Sequence, residues 1–127
     1  MKPLRYAGLW WTIGLLLALF VMVLSLLPPG EGGMAVSDKL LHFLTYAFLA
    51  GWFASLSPRA VLVFVLVVAW SGMIELLQGL TPQRQPEWPD LLANAAGAVI
   101  GTLTAKRLPR SPFAMFETWL WKGRHEY

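Results

Sequence analysis

Carboxylates, a histidine, an arginine and two amides sit in or beside otherwise apolar stretches of this chain, and their spacing is helical. Asp38 and His42 are four residues apart, so a helix puts them on one face, which Thr45 continues. Glu75 and Gln78 are three apart, Asp90 and Asn94 are four apart, and Arg84 lies between those two pairs. Glu75 and His42 are the candidates for acid or base catalysis, with Arg84 available to hold an anion. Asp38, His42, Glu75 and Asp90 offer oxygen and nitrogen ligands suited to zinc or a harder cation. An Asp-x-x-x-His spacing alone is a weak metal signal, so no metal or other cofactor is assigned from it. Nucleophilic chemistry is poorly supplied. The chain has no cysteine, no His-Glu-x-x-His, no Gly-x-Ser-x-Gly and no phosphate loop, and Thr45 is the one serine-type hydroxyl on the His42 face.

The 127 residues that carry this set are 57% hydrophobic and 13% charged, with a mean hydropathy of +0.56. A soluble domain has about a quarter charged residues, so a water-facing surface is under-supplied. Four apolar segments run over residues 9–27, 38–56, 59–80 and 90–106. The first stops at Pro28-Pro29-Gly30, the second at Ser57-Pro58 and the third at Thr81-Pro82, none of which continues a helix. The first exceeds the apolar core of a signal peptide, about 7–15 residues, and reads as a retained helix. The fourth is short, at the lower edge of the roughly 17–25 residues that span hydrocarbon. Without water to satisfy backbone amides, each segment must be helical there. Asp38 and Asp90 fall where a helix start takes a carboxylate, as a cap and as partner of the positive dipole end. The expected fold is an all-α integral membrane protein, one domain over 1–127, with four transmembrane helices and a short interfacial helix over 111–124. In that tail Phe113, Phe116, Trp119 and Leu120 share one side, placing aromatic rings at headgroup level.

Basic residues set the orientation. Lys2 and Arg5 precede the first segment, Arg59 lies between the second and third, and Lys106, Arg107, Arg110, Lys122 and Arg124 follow the fourth. The other two loops carry only Arg84, so both termini are expected in the cytoplasm and the polar set on the outer side. Glu75 is the most informative member, because it lies more than a turn inside its segment among Met73, Ile74, Leu76 and Leu77. An ionised carboxylate at a helix centre costs about 2.5–3.5 kcal/mol on insertion scales, so it needs a partner, a proton or an aqueous cavity. His42 and Arg84 are the expected partners by depth. A structural clamp between the last three segments competes with a functional site. Hydrogen bonds between membrane helices average only about 0.6 kcal/mol, which makes Asp38, His42, Glu75, Arg84, Asp90 and Asn94 at one depth an extravagant clamp. The fourth segment also carries Ala93, Gly97, Gly101 and Ala105 at four-residue steps. That stripe admits another helix at close range, either within the bundle against Ala47 and Gly51 or from a second copy in a homo-oligomer.

Asp38-Lys39-Leu40-Leu41-His42-Phe43 with Tyr46, then Glu75-Leu76-Leu77-Gln78, Arg84, and Asp90 through Asn94 to Gly97 and Gly101 resembles the VanZ-like family. The resemblance runs from about Ser37 to Gly101 with the motifs in family order. It implies a bacterial plasma-membrane protein with several spanning helices, in the context of teicoplanin resistance. It also implies that Asp38, His42, Glu75, Gln78, Arg84, Asp90 and Asn94 are the characteristic polar positions. One departure is Ile74, where many relatives have an acidic residue, which weakens any mechanism needing a carboxylate pair beside Glu75.

Three functions follow. The first is binding or protection of a membrane lipid or lipid-linked envelope precursor at the outer face. The second is an enzyme acting on a lipid headgroup, with Glu75 or His42 as acid or base. The third is a structural subunit with the polar set as glue. The missing nucleophile weighs against an enzyme. The basic residues form no groove-like patch, which excludes nucleic acid as a partner. The polar set does not cross the bilayer, which disfavours a transporter.

Overall fold

The computed structural model describes residues 3–27, 35–81 and 88–125, with the backbone alone at 35–37 and 125. All regular structure among them is helical: α1 (Ala7–Leu26), α2 (Ala35–Leu56), α3 (Ala60–Gly79), α4 (Trp88–Arg107) and α5 (Pro112–His125). Helices α1, α2 and α3 are long and apolar enough to cross a membrane. Helix α4 has the length, at 20 residues, but is less apolar than those three. Leu27 ends α1 in an extended conformation (φ −69°, ψ 152°), as the clash with a following proline demands. Two starts differ from expectation. Helix α2 begins at Ala35 and α4 at Trp88, so Asp38 and Asp90 stand inside the first turns instead of capping them. No breaker lies between Ala35 and Asp38, and Pro89 is tolerated in a first turn because the amide it lacks has no partner there.

Helices α2 and α4 run parallel with their backbones in contact. Lys39 and His42 meet Asp90 and Asn94, Phe43 and Ala47 meet Gly97 and Gly101, and Ala54 meets Lys106. A side chain at Gly97 would collide with the Phe43 carbonyl oxygen, and one at Gly101 with that of Ala47. The stripe of small residues is therefore filled by α2 of the same chain, and assembly with a second copy through it would displace α2. The buried face of α4 is Asp90, Asn94, Gly97, Ala98, Gly101 and Thr102, while Leu92, Val99, Ile100 and Leu103 face outward. At the far end Lys106 donates from Nζ to the carbonyls of Ala54 (2.8 Å) and Ser57, satisfying acceptors that the end of α2 leaves open.

The core is made by Tyr46, Leu49, Ala50 and Ala54 of α2, Val63 and Val67 of α3 and Ala98 of α4. Helix α1 is peripheral. Gly14 is its one buried residue, where a Cβ would strike the Trp52 and Phe53 rings. Its long apolar residues, Leu15, Leu16, Leu19 and Phe20, are turned outward.

Helix α5 is fastened to the start of α1. Phe113 is buried, with its ring 4.8 Å from Trp10 and 4.7 Å from Trp52, whereas Phe116, Trp119 and Trp121 remain exposed. The Glu117 carboxylate accepts from the backbone N–H of Arg5 (2.8 Å) and Tyr6 (3.0 Å) and from the Trp10 Nε1–H (2.8 Å). The Arg5 guanidinium lies 4.7 Å from the Trp121 ring centre. Desolvation raises the Glu117 pKa, but the bonds from Trp10, Tyr6 and Arg5 and the Arg5 charge outweigh it and hold the carboxyl below its ordinary value. A depressed folded pKa contributes stability above the unfolded value, about 4.3, and loses it as pH falls through the folded value.

Two outcomes are expected. Gly97→Leu or Gly101→Leu should destabilise the protein by at least about 1–3 kcal/mol in detergent unfolding, while Gly72→Ala, with nothing near its Cβ position, should be tolerated. Amide protection of residues 112–125, taken relative to the intrinsic exchange rate at each pH, should hold from pH 7 to 5 and fall below about pH 4, and Glu117→Ala should lower it at neutral pH and remove that pH dependence.

Candidate functional site

Because α2 and α4 are parallel and in register, their first turns come together. That puts two positive helix ends side by side, and each carries one carboxylate, Asp38 or Asp90. Lys39 of α2 reaches across to Asp90 Oδ1. The His42 ring stands between the two helices. Its Nδ1 lies 2.9 Å from Asn94 Oδ1, and its Nε2 lies 3.8 Å from Asp38 Oδ2 and 3.7 Å from Asp90 Oδ2. A carbonyl oxygen only accepts, so Nδ1 carries a hydrogen, and in the neutral ring Nε2 presents its lone pair to both carboxylates. Asn94, at 2% exposure, is the buried anchor of this arrangement. Among the described residues, Asp38, His42 and Asp90 could hold a metal, with one ligand atom each, all within 4.8 Å of one another.

The α3 members of the set lie deeper. Glu75 and Gln78 are both buried, and the Glu75 carboxylate is within electrostatic reach of the buried Tyr46 hydroxyl. Gln78 donates from Nε2 to the Ser25 carbonyl (2.7 Å), satisfying an acceptor at the end of α1. A groove of about 350 Å³ opens between α1, α2 and α3. Its lining is apolar at Phe20, Leu24 and Leu41 and polar at Asp38, His42 and Gln78.

Asp38, His42 and Gln78 thus share one groove, and Asp90 and Asn94 back His42 from α4. Glu75 lies in the interior beside Tyr46. Arg84 falls outside the described residues. Two participants escaped the sequence reading of the site. Lys39 had a signal, as a basic residue at an outer helix start where orientation favours none. Tyr46 lies one helical turn beyond His42 and was legible only as a motif member.

The family model described as VanZ/LLP1 matches residues 10–109. The chain belongs to the VanZ/LLP1 family. Comparison with curated proteins and with solved structures gave no match. The matched span begins within α1 and ends just past α4, so it contains the whole polar set and leaves α5 outside. Family and apolar helices together make this a membrane protein.

A double-mutant cycle tests the central bond of the site. His42→Ala and Asn94→Ala should couple by about 0.6 kcal/mol, and by no more than about 1.7, in detergent unfolding; zero coupling would contradict the contact.

Proposed function

We propose that this VanZ/LLP1-family protein crosses the bacterial plasma membrane four times, both termini cytoplasmic, and binds or shields a cell-envelope lipid or lipid-linked precursor at its outer face. The context is the one that the family resemblance implies, protection against teicoplanin. The observation that carries the reading is the groove: its apolar lining of Phe20, Leu24 and Leu41 suits a lipid chain, and its polar lining of Asp38, His42 and Gln78 suits a headgroup. Four spans are supported by the register of α4 against α2 from Asp90 to Lys106, which carries α4 across whatever depth α2 crosses. Its polar face is inside and its apolar face outside, as hydrocarbon requires. The orientation is supported by Arg59 and Lys106 at one end of the bundle and the Asp38–Asp90 cluster at the other.

His42→Ala and Glu75→Gln, expressed at wild-type level, should each change the inhibitory concentration of teicoplanin several-fold while the envelope lipid profile stays the same. Unchanged sensitivity would defeat the proposal. An altered lipid profile in Glu75→Gln cells would replace binding with catalysis on a headgroup.

A further inference from the structure

We propose that Asp38, His42 and Asp90 form a binding site for a divalent cation of the zinc class. The ligand set mixes one imidazole nitrogen with two carboxylate oxygens, which suits zinc. His42 Nε2 is 3.8 Å from Asp38 Oδ2 and 3.7 Å from Asp90 Oδ2. Tetrahedral zinc with bonds of about 2.0–2.2 Å holds its ligand atoms about 3.3–3.6 Å apart, so the two His42–carboxylate edges need to close by only a few tenths of an ångström. The exposed Asp38 side chain is free to rotate to close the third edge, which lies within 4.8 Å. The three ligands come from two helices whose register is locked by Gly97 and Gly101, which keeps the cluster assembled without the ion.

A residue outside the ligand set gives independent support. Asn94, buried on α4, takes the hydrogen of His42 Nδ1 at 2.9 Å. Histidines that bind metals characteristically donate their second ring N–H in this way, which fixes the tautomer and aims the other nitrogen. The nitrogen so aimed faces two carboxylates. A neutral imidazole lone pair opposed to two negative oxygens is repulsive unless a cation lies among them or Nε2 takes a second proton. Lys39 meets part of this demand, but it engages Oδ1 of Asp90 and leaves Oδ2 directed at His42.

Three protein ligands leave a fourth coordination position open, and Asp38 and His42 line the groove. An ion there would give an anionic cluster the positive charge needed to hold a phosphate-bearing headgroup. That consequence rests on the lipid reading; the cation site does not.

The test uses the full chain in detergent, in a His125→Ala background that removes the other histidine, with zinc alone titrated by calorimetry. The expected result is one zinc per chain. His42→Ala and Asp90→Asn should each weaken binding at least tenfold, and Asn94→Ala by roughly 10–100-fold at unchanged helicity. Lys39→Met, which removes the competing ammonium, should preserve or tighten binding. No binding by the parent at millimolar zinc, or undiminished binding in His42→Ala, overturns the proposal. If the variants lose helicity, nitrogen NMR of His42 in the parent decides. A zinc-induced shift of Nε2 supports the site, and two protonated ring nitrogens unmoved by zinc overturn it. Absent zinc binding together with altered teicoplanin sensitivity in the same variants would remove the metal and keep the lipid reading.

Discussion

The structure depends on two parallel helices whose backbones touch. Parallel packing aligns the dipoles of α2 and α4, so like ends lie side by side, each equivalent to roughly half a charge. Close approach worsens the repulsion and admits no side chain between the backbones. The chain meets the steric demand with Gly97 and Gly101 against the carbonyls of Phe43 and Ala47. It meets the electrostatic demand at both ends. Lys106 joins the negative ends through the carbonyls of Ala54 and Ser57, and Asp38 and Asp90 offset the positive ends. The polar cluster is thus first a solution to a packing problem. Its chemistry is built on groups that the helix pair already requires.

The remaining helices are arranged around that pair. Helix α3 contributes Val63 and Val67 to the core, sets Gln78 in the groove and buries Glu75. Helix α1 forms a removable-looking wall, held by Gly14 against two aromatic rings, by Trp10 and by the Gln78–Ser25 bond. A wall with so few buried residues suits the side of a groove better than the centre of a core. Helix α5, outside the family match, clamps the far end of that wall through Phe113 and Glu117.

Much of this was legible in the residues. Prolines at 28, 58 and 82 mark the segments, and the four-residue steps from Ala93 to Ala105 announce a close helix contact with Ala47 and Gly51. The spacing of Asp38, His42, Asp90 and Asn94 points to one end of the bundle. What spacing does not contain is the rotation of each helix about its own axis. Depth alone paired His42 with Glu75, whereas the α2–α4 contact gives its ring to Asn94 and the two aspartates. Mean hydropathy averages over the whole of α4 and so does not show that its polar residues gather on the buried face and its apolar ones on the outward face. The Glu117 clasp was invisible, since it joins a carboxylate to backbone amides more than a hundred positions away.

The distance between the paired helices along the chain has a consequence for how the protein is made. Lys39 and Asp90 are 51 positions apart, with all of α3 between them. A polypeptide leaves the ribosome from its N-terminus, so α2 enters the bilayer before its partner exists. During that interval His42 lacks Asn94, Lys39 lacks Asp90, and the Ala47–Gly51 surface is uncovered. The α2–α3 hairpin must tolerate those exposed groups until the last long helix slides into register. The cluster at the joined helix starts is therefore completed late in synthesis, and a translation product ending before Gly101 would expose it as a loose set of polar groups against lipid.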